Sequence, residues 1–222
     1  MPKRALIEKR PWLLASLIAG ISFFFVKDSQ LPGLYQMAWK GAGVALLAVY
    51  ALSRHKGADS RQIAAVMGFG ALGDVLIELA LEAGAVAFLI GHLIAIHLYL
   101  RHRRPALALS QKALAGALLI AIPLIAFLLP SDRSAAPGIA LYSAGLAGMA
   151  ATAWTSSFPR YQVGIGAVMF VASDLLIFAR LGPLAGSPLP DLLIWPLYYF
   201  GQFLICTGVV GELNRRRVRP AG

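Results

Sequence analysis

Apolar and polar positions alternate along this chain in long blocks: eight apolar runs are separated by short segments rich in charge, proline and glycine. Most runs reach the length of about 17 residues that a helix needs to cross a bilayer, and the breaks match typical turn chemistry. The pattern predicts an all-α, polytopic integral membrane protein, a bundle of eight transmembrane helices in a single domain over 1–222. The predicted spans are roughly 12–26, 34–52, 62–80, 84–100, 113–129, 137–155, 161–179 and 192–211.

Lysine and arginine are distributed unevenly between alternate loops. Sixteen of the 20 lie in the N-terminal segment, in the loops after the second, fourth and sixth runs, and in the C-terminal tail. Lys27, Arg133 and Arg180 fall on the opposite side, and Lys40 lies within the second run. Because basic short loops remain in the cytoplasm, we expect both termini to be cytoplasmic, in a bacterial cytoplasmic (inner) membrane.

Composition agrees with a membrane location, since 59% of the residues are hydrophobic and the mean hydropathy is +0.72. A net charge of +10 would otherwise suggest nucleic acid. The basic clusters at 101–104 and 215–217 fit topology and attraction to anionic lipid instead, so no nucleic-acid partner is expected. Gly68-x-Gly-x-x-Gly73 lies inside a predicted span, where small residues favour helix packing over dinucleotide binding. No cysteine or histidine cluster has zinc-ligand spacing, so we expect no metal.

Two carboxylates, Asp74 and Asp174, lie inside predicted spans. An ionised carboxylate in hydrocarbon is costly, so it is rarely present without a function or a partner. The residues around them, Gly-Asp-Val-Leu-Ile and Ser-Asp-Leu-Leu-Ile, resemble each other as two facing half-sites would. The two aspartates are therefore the first candidates for a functional site.

Other polar side chains are expected at a similar depth. Counted from the noncytoplasmic side, Lys40, Asp74 and Asp174 lie about six residues in, or roughly 9 Å along a helix. Glu78 is expected one turn above Asp74 on the same helix face. The remaining candidates lie about six to ten residues in: His92, Tyr198, Tyr199 and Gln202. The sequence thus predicts a polar layer in the outer half of the bilayer.

Each of these side chains also has a purely structural explanation. Lys40 could extend its ammonium to the interface, or it could form an ion pair with the aspartates. Glu78 could simply be solvated, and His92 could make a single hydrogen bond to a neighbouring helix. The two tyrosines could belong to an aromatic belt at the membrane surface together with Trp195.

Four segments resemble the YhhN-type family of membrane proteins, which includes the lysoplasmalogenases. They are Trp39-Lys40-Gly41, Leu72-Gly-Asp-Val-Leu-Ile77, Phe88-Leu-Ile-Gly-His92, and Ser173-Asp-Leu-Leu176 followed by Leu197-Tyr-Tyr-Phe-Gly-Gln202. The resemblance covers most of the chain in the same order. It departs at Gly41, where the family usually has a proline after the lysine.

The resemblance implies hydrolysis of the vinyl ether bond of lysoplasmalogens, which releases a fatty aldehyde and a glycerophospho-base. A lysophospholipid would be the substrate, membrane lipids the surroundings, and no cofactor would be needed. Such bonds hydrolyse through protonation at carbon, which requires a carboxylic acid that remains neutral near pH 7. Two carboxyl groups in an apolar site supply one, since burial and mutual repulsion favour one protonated group. We therefore expect Asp74 and Asp174 to be the acid/base pair.

The other candidates would bind substrate or tune the site. Lys40 would contact the substrate phosphate or bias the ionisation of the aspartates, and Glu78 and Tyr198 would also bind substrate or tune the site. His92, Tyr199 and Gln202 would position water or the glycerol hydroxyl. These roles leave open the headgroup preference, the physiological substrate and the oligomeric state.

Two other classes of protein remain open. A proton-coupled transporter or small-molecule carrier would also use a buried lysine with two aspartates. The chain shows no inverted repeat and no pair of broken helices at a midplane, which are typical of such transporters. In a noncatalytic lipid-binding or structural protein, the polar layer would only fix helix packing.

Overall fold

The computed structural model describes residues 10–54 and 56–218. Within these ranges the backbone forms eight α-helices and a single π-helical turn, Arg160–Gly164, and no strand. The helices are α1 (Pro11–Val26), α2 (Gly33–Arg54), α3 (Ala58–Leu76), α4 (Leu81–Arg101), α5 (Leu109–Leu128), α6 (Ala136–Thr155), α7 (Ile165–Arg180) and α8 (Leu189–Val218). The terminal basic residues Lys3, Arg4, Lys9 and Arg219, which contributed to the predicted topology, lie outside the described ranges.

Each predicted apolar run corresponds to one helix, so the all-helical fold is confirmed. Four segments are long and apolar enough to cross a membrane: Leu81–Arg101, Leu109–Leu128, Arg160–Arg180 and Leu189–Val218. Pro11–Val26 is apolar but shorter. The protein is therefore a helical membrane protein, whereas the crossing of all eight helices and the side on which the termini lie stay predictions.

The predicted end of the third span, at residue 80, is wrong, and the difference concerns a candidate site residue. α3 ends at Leu76, with Ile77 as its C-cap, so Glu78 lies in the turn before α4. The expectation that Glu78 shares a helix face with Asp74 therefore fails. The amide of Ile77 donates to the carbonyl of Gly73 at 2.9 Å.

The first compact unit consists of the described parts of Met1–Ile94 and Val209–Gly222. Here α1 packs on α2, and α2 packs on α3. The hydroxyl of Ser16 donates to the carbonyl of Gly43 at 2.6 Å, a buried bond that ties α1 to α2. Gly41 lets α2 approach α3 closely, because a Cβ atom there would lie 2.9 Å from Val75 Cγ2.

The second compact unit is Ala95–Gly208. In it α6 packs against α5 and α7, and α7 packs against α8 through glycine backbones. A Cβ atom at Gly166 would lie 2.7 Å from the carbonyl oxygen of Gly201, and a Cβ at Gly201 would lie 2.8 Å from that of Gly166. Small residues that bring backbones together are typical of helix pairs in membranes, where apolar burial alone does not drive association.

The loops after α4 and α6 hydrogen-bond to each other through their backbones. The amide of Ser157 donates to the carbonyl of His102 at 2.7 Å, and the amide of Arg104 donates to that of Thr155 at 3.3 Å. We call these two segments, 102–104 and 155–158, the loop clamp. It fixes the ends of two helices that are separated in sequence by α5.

Candidate functional site

Lys40 and Glu78 form an ion pair in the first unit. The ammonium of Lys40, on α2, lies 2.5 Å from Glu78 Oε1, in the turn after α3. The lysine side chain is 17% exposed and the glutamate 46%. The acidic partner of Lys40 in the structure is thus Glu78. The glutamate forms an ion pair in addition to its contact with solvent.

Asp74 is buried near the end of α3, with 2% of its surface exposed. The ring of Phe88, on α4, packs directly against the preceding residue, Gly73. A Cβ atom at Gly73 would lie 2.8 Å from three atoms of that ring. The Gly-Asp pair therefore combines a close helix contact with a buried carboxyl group. Burial of this kind disfavours the ionised form of a carboxyl group.

His92 is also buried, at 4% exposure, on the same face of α4 as Phe88, one turn away. The glycine before it, Gly91, packs against Phe69 of α3. A Cβ atom added at Gly91 would lie 3.4 Å from the Cβ atom of Phe69. The four residues from Phe88 to His92 correspond to about 6 Å along the helix axis. His92 therefore lies roughly one turn from the level at which Phe88 covers Gly73.

Asp174 in the second unit accepts a hydrogen bond from a residue that the sequence analysis missed. The hydroxyl of Tyr142, on α6, donates to Asp174 Oδ2 at 2.6 Å. The Tyr142 ring packs edge-on against Phe178, one turn along α7, with centroids 6.0 Å apart. Asp174 itself is 6% exposed. The sequence signal for Tyr142 was a Tyr-Ser pair interrupting the small and apolar residues of α6.

Ser173, next to Asp174, connects α7 to α8. Its hydroxyl donates to the carbonyl of Ile194 at 3.0 Å. Pro196 lies inside α8 two residues later, where it leaves the helix without one backbone donor. Membrane helices tolerate such prolines when neighbouring serine side chains bond to nearby backbone groups. The bond places the carboxyl-bearing turn of α7 against the proline-containing turn of α8.

Trp195, Tyr198 and Tyr199 are buried together on α8. The rings of Trp195 and Tyr199 stack with centroids 5.8 Å apart and an angle of 16°, and Tyr198 packs edge-on against Phe170 of α7. This burial is unlike an aromatic belt, whose rings face the membrane surface. Gln202, one turn further along α8, is buried too.

The predicted site residues thus divide between the two units. The first contains Lys40, Glu78, Asp74 and His92. The second contains Asp174, Tyr198, Tyr199 and Gln202, to which the structure adds Tyr142. Among the described residues, no group of three or more His, Cys, Asp or Glu is arranged to hold a metal ion.

The fold and the site define the class of this protein as a helical membrane protein with buried carboxyl groups. Comparison with known proteins then identifies the family. The model of the YhhN family matches residues 35–209, so the chain belongs to the YhhN family. This confirms the resemblance predicted from the sequence.

The chain is also similar to curated relatives named lysoplasmalogenase, from Mycobacterium bovis and Mycobacterium tuberculosis. Each is 29% identical over 194 residues, which covers 81% of this chain and 73% of the relative. No solved structure matches the chain.

Proposed function

We propose that this protein is a lysoplasmalogenase-like membrane hydrolase that cleaves the vinyl ether bond of a lysophospholipid. The products are a fatty aldehyde and glycerophosphoethanolamine or glycerophosphocholine. The observation that carries the proposal is the buried Asp174 carboxyl group, held by Tyr142, in a chain whose relatives are lysoplasmalogenases.

The reaction needs one acid and one base. A carboxylic acid gives its proton to the β-carbon of the vinyl ether, and the α-carbon becomes an oxocarbenium ion. Water attacks that carbon and loses a proton to a carboxylate, and the resulting hemiacetal collapses to aldehyde and glycerol hydroxyl. The carboxylate also stabilises the cation, so catalysis combines proton transfer with electrostatic stabilisation.

We assign the acid and base roles to Asp74 and Asp174, without preference as to which carries the proton. Both are almost fully buried, and desolvation favours the neutral carboxylic acid. Tyr142 is a positioning residue, since its hydroxyl fixes the orientation of Asp174 and contacts no reacting atom in this scheme.

Lys40 is proposed to bind the substrate phosphate. Its partner Glu78 is half-exposed, and exposed ion pairs are held weakly, so a phosphate can replace the carboxylate at the ammonium. The other buried candidates are also proposed to contact the substrate or to tune the site: His92, Tyr198, Tyr199 and Gln202. The proposal includes eight transmembrane helices with both termini in the cytoplasm, as the distribution of basic residues predicts.

The test is release of fatty aldehyde from lysoplasmenylethanolamine by the detergent-purified protein. Asp74→Asn and Asp174→Asn should each lower turnover by about 100-fold or more, the size of a general acid–base contribution. Asp132→Asn is the matched control, because Asp132 is exposed in the loop between α5 and α6.

Two substrate controls make the test specific for protonation at carbon. The saturated 1-alkyl ether analogue should not react, since it has no double bond to protonate. In D₂O, aldehyde trapped at once by reduction should carry one solvent deuterium at its second carbon. Absence of aldehyde from folded wild-type protein would contradict the proposal and favour a carrier or a noncatalytic lipid-binding protein.

A further inference from the structure

The loop clamp holds the guanidinium of Arg104 in a fixed position. Its Nε donates to the carbonyl of Ser156 at 2.6 Å, and its Nη2 donates to that of Phe158 at 3.2 Å. Burial, followed by the charge of Arg160, lowers the pKa of Arg104. The two arginines are thus close enough for their like charges to interact.

Arg160 begins the π-helical turn, and its guanidinium is packed on a ring. It lies over Trp154, 5.6 Å from the ring centroid. Gly164 makes room for this arrangement, because a Cβ atom there would lie 2.8 Å from Trp154 and 3.3 Å from Cγ of Arg160. Such a cation–π contact restrains the position of the guanidinium group.

The Nε and Nη2 atoms of Arg160 are buried and have no hydrogen-bond partner. They form the edge with which arginine binds two oxygens of a carboxylate or phosphate at once. In the part of the chain that the structure describes, neither Arg160 nor Arg104 forms an ion pair with an acidic side chain. A solvated basic loop would keep these N–H groups in water, whereas here they are withdrawn from it.

We propose that Arg160 and Arg104 form a binding site for a phosphate group where the loop clamp meets the π-helical turn. The Arg160 edge donates two hydrogen bonds to two phosphate oxygens, and the free N–H groups of Arg104 supply the second positive charge. A phosphomonoester fits best, because it carries more negative charge and more free oxygens than a diester. Its source is the headgroup of an anionic lipid or a free phosphate in solution.

This site is separate from Asp174, the candidate catalytic residue of the same unit. Asp174 follows Arg160 by fourteen positions of continuous helical chain, which is roughly 21 Å along the axis. The proposal therefore does not depend on the proposed hydrolase activity.

The test measures phosphate binding to the full chain in detergent, in two arms. Native mass spectrometry compares retention of phosphatidic acid, phosphatidylglycerol and phosphatidylcholine at equal concentration. Thermal unfolding is followed during titration with inorganic phosphate, with chloride at equal ionic strength as the control. Wild type should retain phosphatidic acid best, or be stabilised saturably by phosphate.

Three variants distinguish phosphate binding at this site from nonspecific attraction to positive charge. Arg160→Gln should weaken binding by about tenfold or more, the effect of losing a charge-assisted bidentate contact. Arg103→Gln removes the same charge from an exposed side chain in the same loop and should change binding by less than about threefold. Arg160→Lys keeps the charge but loses the paired donors. Its phosphate affinity should lie between those of the other two variants.

Preference for phosphatidic acid that is lost in Arg160→Gln supports a lipid headgroup as the ligand. Saturable stabilisation by inorganic phosphate, lost in the same variant, supports free phosphate. The proposal is overturned if wild type retains the three lipids equally and phosphate stabilises no more than chloride does. That result needs only the wild-type protein, so it stands even if a variant fails to fold.

Discussion

At the scale of single residues, the bond between Tyr142 and Asp174 defines how one candidate catalytic carboxyl group is held. A hydroxyl that donates at 2.6 Å occupies one carboxylate oxygen and leaves the other for chemistry. Because the bond crosses from α6 to α7, the orientation of Asp174 depends on the packing of two helices as well as on its own rotamer.

Removal of this hydroxyl should slow the reaction without abolishing it. Tyr142→Phe should lower kcat for aldehyde release by roughly tenfold or more, since hydrogen bonds to charged groups contribute about 1.5–3 kcal/mol. KM should change by less than about twofold, because a positioning residue acts after the substrate has bound. Tyr161→Phe, at an exposed tyrosine, is the control; equal kcat values for the two variants would contradict the assigned role.

The sequence predicted the buried aspartates but not their surroundings. A carboxylate within a long apolar run is visible in the pattern, whereas the partner of Asp174 is brought close only by helix packing. The end of α3 was missed for a related reason, because Ile77, Leu79 and Ala80 continue the apolar run without a glycine or proline. Only the turn itself shows that Glu78 leaves the helix and reaches Lys40.

At the scale of helices, glycine contacts determine which elements come close. Gly166 and Gly201 place the backbones of α7 and α8 in direct contact about two turns before Asp174. The obstacle to a larger residue at either position is a carbonyl group of the other helix, which cannot rotate away as a side chain can. The two helices would have to separate.

A methyl group at this contact should destabilise the protein. Gly166→Ala should lower the free energy of unfolding by about 1–3 kcal/mol, as expected for overpacking. Gly116→Ala in α5 is the matched control, because its Cβ would meet nothing within 4 Å. Thermal or denaturant unfolding in detergent provides the measurement. Equal stability of the two variants would show that α7 and α8 can separate at no cost.

Helix boundaries could be predicted where the hydropathy pattern changes. They could not be predicted where ion pairs between side chains extend a helix beyond its apolar segment. Most of the predicted runs begin and end within four residues of the observed helices. α8 continues seven residues past the predicted end at 211, where Glu212 pairs with Arg215 and Arg216 one turn away. Such pairs stabilise a helix in water, beyond the reach of a hydropathy pattern.

For the molecule as a whole, the basic residues predicted on the noncytoplasmic side are locally compensated. Lys27 pairs with Asp28 at 2.9 Å, and Arg180 pairs with Asp191 at 2.6 Å. The guanidinium of Arg133 lies over the Phe127 ring and donates to the carbonyl of Phe127. The net positive charge of the chain therefore lies mainly in the loops that are predicted to be cytoplasmic.

The predicted topology can be tested by single cysteines in a Cys206→Ala background. A cysteine at Ser131, between α5 and α6, should react with a membrane-impermeant maleimide applied from the noncytoplasmic side. A cysteine at Ala106, between α4 and α5, should react only after the membrane is permeabilised. Labelling of both from the same side would contradict a transmembrane α5 and the eight-helix topology.

The loop clamp also sets an order of events during synthesis. Arg104 and the carbonyl of Ser156 that it binds are 52 residues apart in the chain. At about 5–20 residues per second, the ribosome needs roughly 3 to 10 s to make the second partner after the first. For that interval the C-terminal end of α4 lacks these hydrogen bonds, which can form only after the chain has been made past the end of α6.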